Sequence, residues 1–186
     1  LDEAQAKRLL AAYGIPIART EIACDADRAA LLAQVIGYPV ALKILSPDIS
    51  HKSDVGGVAL HLDNEQALRA AASAMLHRIK MRAQQARIEG FTVQQMVDPR
   101  GARELIVGCA VDPLFGPAIL FGQGGTAVEV LRDLAFALPP LNAVLADDLI
   151  SRTRVAKLLA AYRDVPAVDK YALRETLIAV SQIICD

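Results

Sequence analysis

The sequence predicts an α+β fold. Segments with helical spacing of apolar residues alternate with short apolar runs of strand character, and glycine or proline separates many of them. The second half adds two runs that a turn of the Asp-Pro-Arg-Gly type joins, which is typical of antiparallel strands. The 186 residues are enough for one domain of ordinary size or for two small lobes that share a cleft.

Composition excludes several classes of function. Lysine and arginine number 20 and aspartate and glutamate 21, so the net charge is −1 and no long run of either sign occurs. This balance argues against binding of nucleic acid or of a membrane surface. The sequence has no apolar run of membrane-spanning length and no signal-peptide pattern at its start, so we expect a cytoplasmic protein. The three scattered cysteines predict reduced thiols in or near the core.

The first half alternates helices with short strands. Apolar stripes predict a helix before Gly14, another after Asp25 or Asp27, and a long third helix from about Asp63 to Glu89. The strands expected in this half are Ile17–Ala23, Val40–Leu45 and Val58–Leu62.

The second half is predicted to open with an antiparallel hairpin. Its two strands are Phe91–Val97 and Arg103–Val111. Two more strands are expected at Pro117–Gly122 and Leu134–Leu138. Apolar stripes predict three helices in the remainder, at 142–150, 153–162 and 169–184.

Lys43 is a charged residue within an apolar strand. Because side chains alternate along a strand, Val40, Leu42 and Ile44 face one side of the sheet and Lys43 faces the other. A lysine on a strand that faces a cleft can bind a phosphate oxygen. An edge strand whose lysine extends into water explains the same pattern, and position alone favours this second interpretation.

The loop after this strand favours a phosphate site. His51 and Lys52 lie in a polar, turn-prone segment, and Gly56 and Gly57 come directly before the next strand. A glycine pair lets backbone N–H groups approach an anion closely, and the histidine and lysine can add charge or accept a phosphoryl group. Together with Lys43, this combination predicts an anion-binding hairpin.

Gly37 to Lys43 and Ile49 to Val58 resemble the nucleotide-binding part of an ATP-grasp domain, of the kind found in NDP-forming acyl-CoA synthetases, the relatives of succinyl-CoA synthetase. The same domain occurs inside some bacterial protein lysine acetyltransferases. The similarity runs from about Leu1 to the last residue and is most specific at Ile49–Val58. It implies an ATP-grasp fold in which two α/β lobes, 1–89 and 90–186, clasp a nucleotide.

The resemblance also implies a role for individual residues. Lys43 would bind the phosphates, and the glycine pair would cover them with backbone N–H groups. The strand that contains Gln95 would hydrogen-bond the adenine through its backbone, and Met96 or Val97 would pack on the ring. The sequence alone favours a surface position for Glu104, whereas the resemblance places it near the nucleotide. The predicted nucleotide-binding residues are Lys43, Gly56, Gly57, Gln95, Met96, Val97 and Glu104, and His51 is the predicted catalytic residue, as phosphoryl acceptor or phosphate contact.

A second glycine-rich bend follows at 121–126. Its sequence, Phe-Gly-Gln-Gly-Gly-Thr, again resembles the synthetase family, and Glu129 and Asp133 follow four residues apart. We predict that Glu129 binds Mg²⁺ or positions a phosphate. A pair of exposed helix residues explains Glu129 and Asp133 equally well.

The resemblance implies that the parent protein joins a carboxylic acid to coenzyme A at the expense of ATP, or makes ATP in reverse. ATP and Mg²⁺ would be its cofactors, and a coenzyme-A-binding domain of the same protein or of a partner subunit would be its partner. In the family, an acidic strand that holds Mg²⁺ follows the last helix, and this sequence stops before it. The fragment alone is therefore expected to bind nucleotide weakly and to be inactive.

Two other interpretations remain open. The domain could be a nucleotide-sensing or architectural module of a lysine acetyltransferase, with a fused acetyltransferase domain. A plain interaction domain would explain the apolar stripes but not the segment Ile49–Val58. No complete nucleophile-and-base set is visible in the sequence, so a free-standing hydrolase is not expected.

Overall fold

The computed structural model describes residues 3–97, 102–125, 132–161, 163 and 165–186. They form an α+β fold with two antiparallel sheets, as predicted. The chain divides into two compact units: the first contains Leu1–Leu9 and Pro16–Val97, and the second contains Leu10–Ile15 and Asp98–Asp186. Helix α1 (Glu3–Ala12) contributes residues to both units. Each unit has its own apolar core.

The first unit is built on a four-stranded sheet with the order β1-β4-β2-β3, in which every neighbouring pair is antiparallel. Asp25 and Asn64 cap its two other helices, because their side chains accept the backbone N–H of Arg28 and Ala67. The elements are β1 (Thr20–Ala23), α2 (Ala26–Ile36), β2 (Val40–Leu45), β3 (Val58–Leu62), α3 (Glu65–Arg82) and β4 (Gly90–Gln95).

The two faces of this sheet differ in polarity, as strand alternation requires. One face is apolar and packs with α2 and α3 in the core of the unit, through residues such as Leu42, Phe91 and Met75. The opposite face carries Lys43 and Gln94. These two side chains lie on one face because the register pairs Lys43 with Thr92 and Ala41 with Gln94. The predicted separation of Lys43 from the core residues of its own strand is confirmed.

Helix α3 is shorter than predicted. It ends at Arg82 instead of Glu89, because Ala83 leaves the helical conformation with φ −142° and ψ 60°. The following residues return to the sheet, where the Glu89 N–H donates to the Leu45 carbonyl at 2.8 Å. Tertiary hydrogen bonding therefore ends the helix earlier than the sequence pattern indicates.

The second unit is built on a three-stranded sheet with the order β5-β6-β7. Its core is formed by residues of β6 and of the helices that follow, among them Phe121, Leu149 and Leu177. The elements are β5 (Leu105–Asp112), β6 (Gly116–Gln123), β7 (Leu134–Ala137), α4 (Ala143–Ser151), a short 3₁₀ helix (Val155–Leu158) and α5 (Lys170–Cys185).

The predicted hairpin of Phe91–Val97 with Arg103–Val111 is wrong. Strand β4 pairs with β1 and β2, whereas β5 pairs with β6. The reason is burial, because Phe91 and Val93 of β4 complete the core of the first unit. The first compact unit thus extends to Val97. The division into two lobes, 1–89 and 90–186, stays a prediction. The helix expected at 153–162 is also reduced to one 3₁₀ turn in the part that the structure describes.

Two other expectations concern exposure. The three cysteines are free thiols, as predicted, but all three are exposed instead of lying in or near the core. Among the described residues, no helix is both long and apolar enough to cross a membrane.

Candidate functional site

Glu3 is surrounded by three lysines in the first unit. Its Oε1 lies 2.7 Å from Lys43 Nζ and 3.2 Å from Lys7 Nζ, and its Oε2 lies 3.6 Å from Lys52 Nζ. Gln94 Oε1 accepts from both Lys43 and Lys7, at 2.8 Å each. We call these five residues, Glu3, Lys7, Lys43, Lys52 and Gln94, the lysine cluster.

The lysine cluster assembles from four separate segments. Glu3 and Lys7 are one helical turn apart on α1 and so project from the same side of that helix. Lys43 on β2 and Gln94 on β4 share the polar face of the sheet. Lys52 comes from the loop between β2 and β3. The cluster thus joins the first helix, two strands and the loop that the sequence singled out.

Burial and neighbouring charges shift the pKa values of Glu3 and Lys7. Burial alone would raise the pKa of Glu3, but hydrogen bonds and Coulomb attraction from Lys43 and Lys7 outweigh it and lower the pKa to about 2. Burial lowers the pKa of Lys7, and Glu3 opposes this shift while the charges of Lys43 and Lys52 add to it. Three lysines and one carboxylate leave an excess of positive charge, which favours an anionic ligand.

A pocket of about 460 Å³ opens beside the lysine cluster. His51 lines it and is exposed, and its predicted contact with the phosphates stays a prediction. The pocket is lined by Glu3, Lys43, Ser50, His51, Lys52, Ser53, Asp54 and Val58. Two lysines, a histidine and two serines give this surface the donors that a phosphate group needs.

Gly56 and Gly57 shape the loop that carries Lys52. The Gly56 N–H donates to the Ser53 carbonyl at 3.0 Å and the Gly57 N–H to the Lys52 carbonyl at 2.7 Å. A Cβ at Gly57 would lie 2.7 Å from Ile44 Cγ2, so only glycine fits there without displacement. Both N–H groups are thus bonded within the loop, and their predicted contact with a phosphate requires them to change partners.

Gln95, Met96 and Val97 follow Gln94 at the end of β4 and beyond it. The Gln95 N–H donates to the Arg19 carbonyl at 2.9 Å and the Met96 N–H to the Pro39 carbonyl at 3.3 Å. The Val97 side chain is 64% exposed and is available to pack on a ligand. Their predicted contact with the adenine stays a prediction.

Glu104 lies in the second unit, directly before β5. Its carbonyl accepts the Gly124 N–H at 2.8 Å, and its carboxylate lies over Gly125, where an added Cβ would meet Oε2 at 2.8 Å. Glu104 therefore borders the second glycine-rich bend. Glu129, the predicted metal ligand, lies outside the described residues.

Asp133 has a structural role. It is 7% exposed, and its two carboxylate oxygens accept the backbone N–H groups of Arg154 and Val155, at 2.7 Å each. These bonds fix the start of the 3₁₀ helix. We call this arrangement the Asp133 cap. In the described ranges, no three His, Cys, Asp or Glu residues form a group that could hold a metal ion.

Three members of the lysine cluster were not predicted from the sequence. The spacing of Glu3 and Lys7 by four residues signals an ion pair on a helix, but helix surfaces contain many such pairs. The sequence predicts its neighbour Gln95, and not Gln94, as a nucleotide-binding residue. Only the alternation of β4 distinguishes the two, because Gln94 shares the face of Lys43.

Comparison with known proteins identifies the family of the domain. A family model described as an ATP-grasp domain matches residues 1–186. The ADP-forming acetate–CoA ligase I of Archaeoglobus fulgidus is 43% identical over 178 residues, which are 96% of this chain and 26% of that protein. The beta subunit of the ADP-forming acetate–CoA ligase I of Pyrococcus furiosus is 36% identical over 183 residues, which are 98% of this chain and 78% of the subunit.

Solved structures give the same result. The dinucleotide forming acetyl-coenzyme A synthetase 1 of Ca. Korarchaeum cryptofilum, in complex with coenzyme A, Ca-AMPCP and HgCl+, superposes with a TM-score of 0.94 at 38% identity, over 100% of this chain and 80% of that chain. A structure of this synthetase with coenzyme A and Mg-AMPPCP, its phosphohistidine segment pointing towards the nucleotide binding site, has a TM-score of 0.86 at 35% identity, over 100% of this chain and 79% of that chain.

These matches differ in how much of each relative they cover. The chain spans about a quarter of the length of the Archaeoglobus ligase and about four fifths of the Pyrococcus subunit and of the Korarchaeum chain. The fold is thus the ATP-grasp fold, as predicted. The chain belongs to the ATP-grasp domains of the NDP-forming acyl-CoA synthetase family.

Proposed function

We propose that this chain is the nucleotide-binding part of an ADP-forming acyl-CoA ligase. In this proposal, the whole protein transfers a phosphoryl group between ATP or ADP and a phosphohistidine and acyl-phosphate pathway that makes acyl-CoA. One observation carries the proposal: Lys43, Lys52 and His51 line one pocket, in which Glu3 is ion-paired with both lysines. The names of the relatives support the class of reaction.

The proposed roles follow from position. Lys43 and Lys52 bind the phosphates of ATP as charged donors. The glycines at 56 and 57 shape the loop and close it over the phosphates. Gln95, Met96 and Val97 contact the adenine at the end of β4. Glu104 is proposed to lie near the nucleotide. Its carbonyl and carboxylate border the bend at Gly124 and Gly125.

His51 is the proposed phosphoryl acceptor or phosphate contact. As acceptor, an imidazole nitrogen attacks the γ-phosphorus of ATP, the bond to the β–γ bridging oxygen breaks, and ADP leaves with that electron pair. The reverse reaction returns the phosphoryl group to ADP. Lysine charge next to His51 stabilises the negative charge that develops on the transferred oxygens.

ATP and Mg²⁺ are the proposed cofactors. The pocket residues fit the phosphates of a nucleotide, since lysine ammonium groups are their ordinary partners in proteins. For the metal, which prefers several oxygen ligands, no three His, Cys, Asp or Glu side chains among the described residues form a group that could hold it. Glu129 remains the proposed metal ligand, and no step is derived through the metal.

The proposed partner is a coenzyme-A-binding domain, either in the same protein or in a separate subunit. The Pyrococcus relative is named as a beta subunit, whereas the Archaeoglobus relative is a longer chain, so both arrangements occur among the relatives. The acetyltransferase alternative draws no support from the relatives reported above, which are ligases and a synthetase. A cytoplasmic location is part of the proposal and fits the three free thiols.

Calorimetry with Mg·ATP tests the proposal. We expect weak but measurable binding by the wild-type chain and at least a tenfold weaker affinity for Lys43→Ala, because the phosphates lose a charged donor. Lys80→Ala is the matched control, since Lys80 is an exposed lysine on α3 away from the pocket. Equal binding by Lys43→Ala and Lys80→Ala, or no binding by the wild type, would contradict the proposal.

A further inference from the structure

We propose that Glu3 is a positioning residue that holds Lys43 and Lys52 in place for an anion. The inference deepens the proposed function and rests on it, because it concerns the same pocket. The carboxylate of Glu3 contacts lysines from α1, β2 and the loop after β2. No other described carboxylate in an ion pair has three lysine partners.

The first argument is electrostatic. Lys7 and Lys43 share two acceptors, Glu3 Oε1 and Gln94 Oε1, so their ammonium groups lie close enough to repel each other. Without a negative charge at Glu3, these flexible side chains lower their free energy by turning away from each other into water. An anion that then binds has to gather them again, which costs side-chain entropy.

The second argument is the count of donors. Lys7 donates to three oxygens, those of Glu3, Thr20 and Gln94, which is the full capacity of an ammonium group. Lys43 donates to two within the described part of the chain, and therefore keeps one N–H for a ligand. Lys52 contacts Glu3 at 3.6 Å, an ion pair too long for a hydrogen bond. Lys7 thus uses its donors within the cluster, whereas Lys43 and Lys52 have donors left for a ligand in the pocket.

The sign of the effect separates positioning from charge alone. Removing the charge of Glu3 makes the cluster more positive, and by charge alone an anion would bind more tightly. If Glu3 instead positions the lysines, the same change weakens binding. The two explanations therefore predict opposite results for the neutral variant Glu3→Gln.

Calorimetry and NMR titration with pyrophosphate test this inference on the same chain. We expect about tenfold weaker binding for Glu3→Gln and about threefold weaker binding for Glu3→Asp, which keeps a carboxylate at shorter reach. The matched control is Glu21→Gln. It makes the same change of charge in the same unit, at a partly exposed residue paired with Arg19, and its affinity is expected to stay within twofold.

A double-mutant cycle adds a measurement that general destabilisation would not change. If Glu3 acts through Lys43, Glu3→Gln costs little further affinity in a Lys43→Met background. Losses of affinity that add up in the double mutant would overturn the inference. Unchanged or tighter binding of pyrophosphate by Glu3→Gln would overturn it as well. If Glu3→Gln does not fold, Glu3→Asp decides, and affinity equal to the wild type overturns it.

The outcomes also separate the two proposals. If the wild type binds Mg·ATP and Lys43→Ala weakens it while Glu3→Gln does not, only the role of Glu3 falls. If no form binds either pyrophosphate or Mg·ATP, both proposals fall.

Discussion

Two carboxylates, one in each unit, show how the same group serves different purposes. Glu3 in the first unit is 25% exposed and accepts from the side chains of lysines beside a pocket. Asp133 in the second unit is 7% exposed and accepts from the backbone N–H groups of Arg154 and Val155. Both carboxylates accept hydrogen bonds, but only the lysine side chains around Glu3 can move.

The difference lies in what each partner is free to do. The position of a backbone N–H is fixed by the fold, so the Asp133 cap stabilises one conformation and has no donors to spare. Lysine side chains are flexible and have three N–H donors each, so the lysines of the cluster can stay paired with Glu3 and still bind a ligand. Asp133 therefore illustrates that a position near a glycine-rich bend does not by itself identify a buried carboxylate as a metal ligand.

The largest effect is expected at the Asp133 cap. Asp133→Ala leaves the buried Val155 N–H and the partly buried Arg154 N–H without an acceptor, and we expect the free energy of unfolding to fall by about 3 kcal/mol. Urea unfolding followed by circular dichroism measures this loss. Pyrophosphate affinity in the folded protein should not change.

The matched control is Asp147→Ala on α4, where an exposed aspartate pairs with Arg174. Its effect should stay below about 0.5 kcal/mol. Comparable losses for Asp133→Ala and Asp147→Ala would contradict the cap.

Acid titration probes Glu3. Its pKa is lowered from 4.5 to about 2 in the folded protein, so its contribution to stability is fully present above pH 4.5 and is lost as the pH falls towards 2. A full shift of this size corresponds to roughly 3 kcal/mol, and we expect about 2 kcal/mol because the side chain is partly solvated. Unfolding free energies at pH 5 and pH 2.5 measure it.

Glu3→Gln cannot titrate at this position, so its stability should fall less between the two pH values. Identical acid dependence of Glu3→Gln and the wild type would show that the lysines do not stabilise the Glu3 carboxylate.

Gly57→Ala tests the loop that carries Lys52. Its Cβ would meet Ile44 Cγ2 at 2.7 Å and the Lys52 carbonyl at 3.0 Å, and a buried methyl group and a backbone oxygen give way poorly. We expect a loss of about 1 to 2 kcal/mol in the free energy of unfolding, together with weaker pyrophosphate binding.

Gly108→Ala in the second unit is its control, since the nearest atom to the added Cβ is 3.7 Å away on a flexible leucine. This variant should be neutral within about 0.5 kcal/mol. A neutral Gly57→Ala would mean that the loop adapts more easily than its contacts indicate.

The smallest effect on stability is expected for Lys52→Met. Its single ion pair at 3.6 Å contributes at most about 0.5 kcal/mol, whereas pyrophosphate affinity should fall about threefold. Lys7→Met should show the opposite balance, with the larger loss of stability, because Lys7 donates to three oxygens. Thermal unfolding and calorimetry on both variants test this division, and a larger loss of stability for Lys52→Met would contradict it.

Local elements were predictable where local chemistry defines them. Strands β2 and β3 have the predicted bounds, because proline or glycine flanks them and apolar residues fill them. Asp25, one of the two aspartates expected to start a helix, caps α2, and Asp169 caps the helix expected at 169–184, since a cap needs only a side-chain oxygen near the first N–H groups. The pairing of β4 was missed because it depends on distant strands and on space in a core.

The sequence alone determined the family, the face on which Lys43 lies and the loop that follows it. These depend on alternation, spacing and a short motif, all of which are properties of neighbouring residues. Only the tertiary structure showed that Glu3, Lys7 and Gln94 meet Lys43, because 40 residues separate Glu3 from Lys43 and 51 separate Lys43 from Gln94. It likewise showed that Asp133 is a buried acceptor of backbone N–H groups and not an exposed helix residue, since burial and backbone partners come from packing and not from composition.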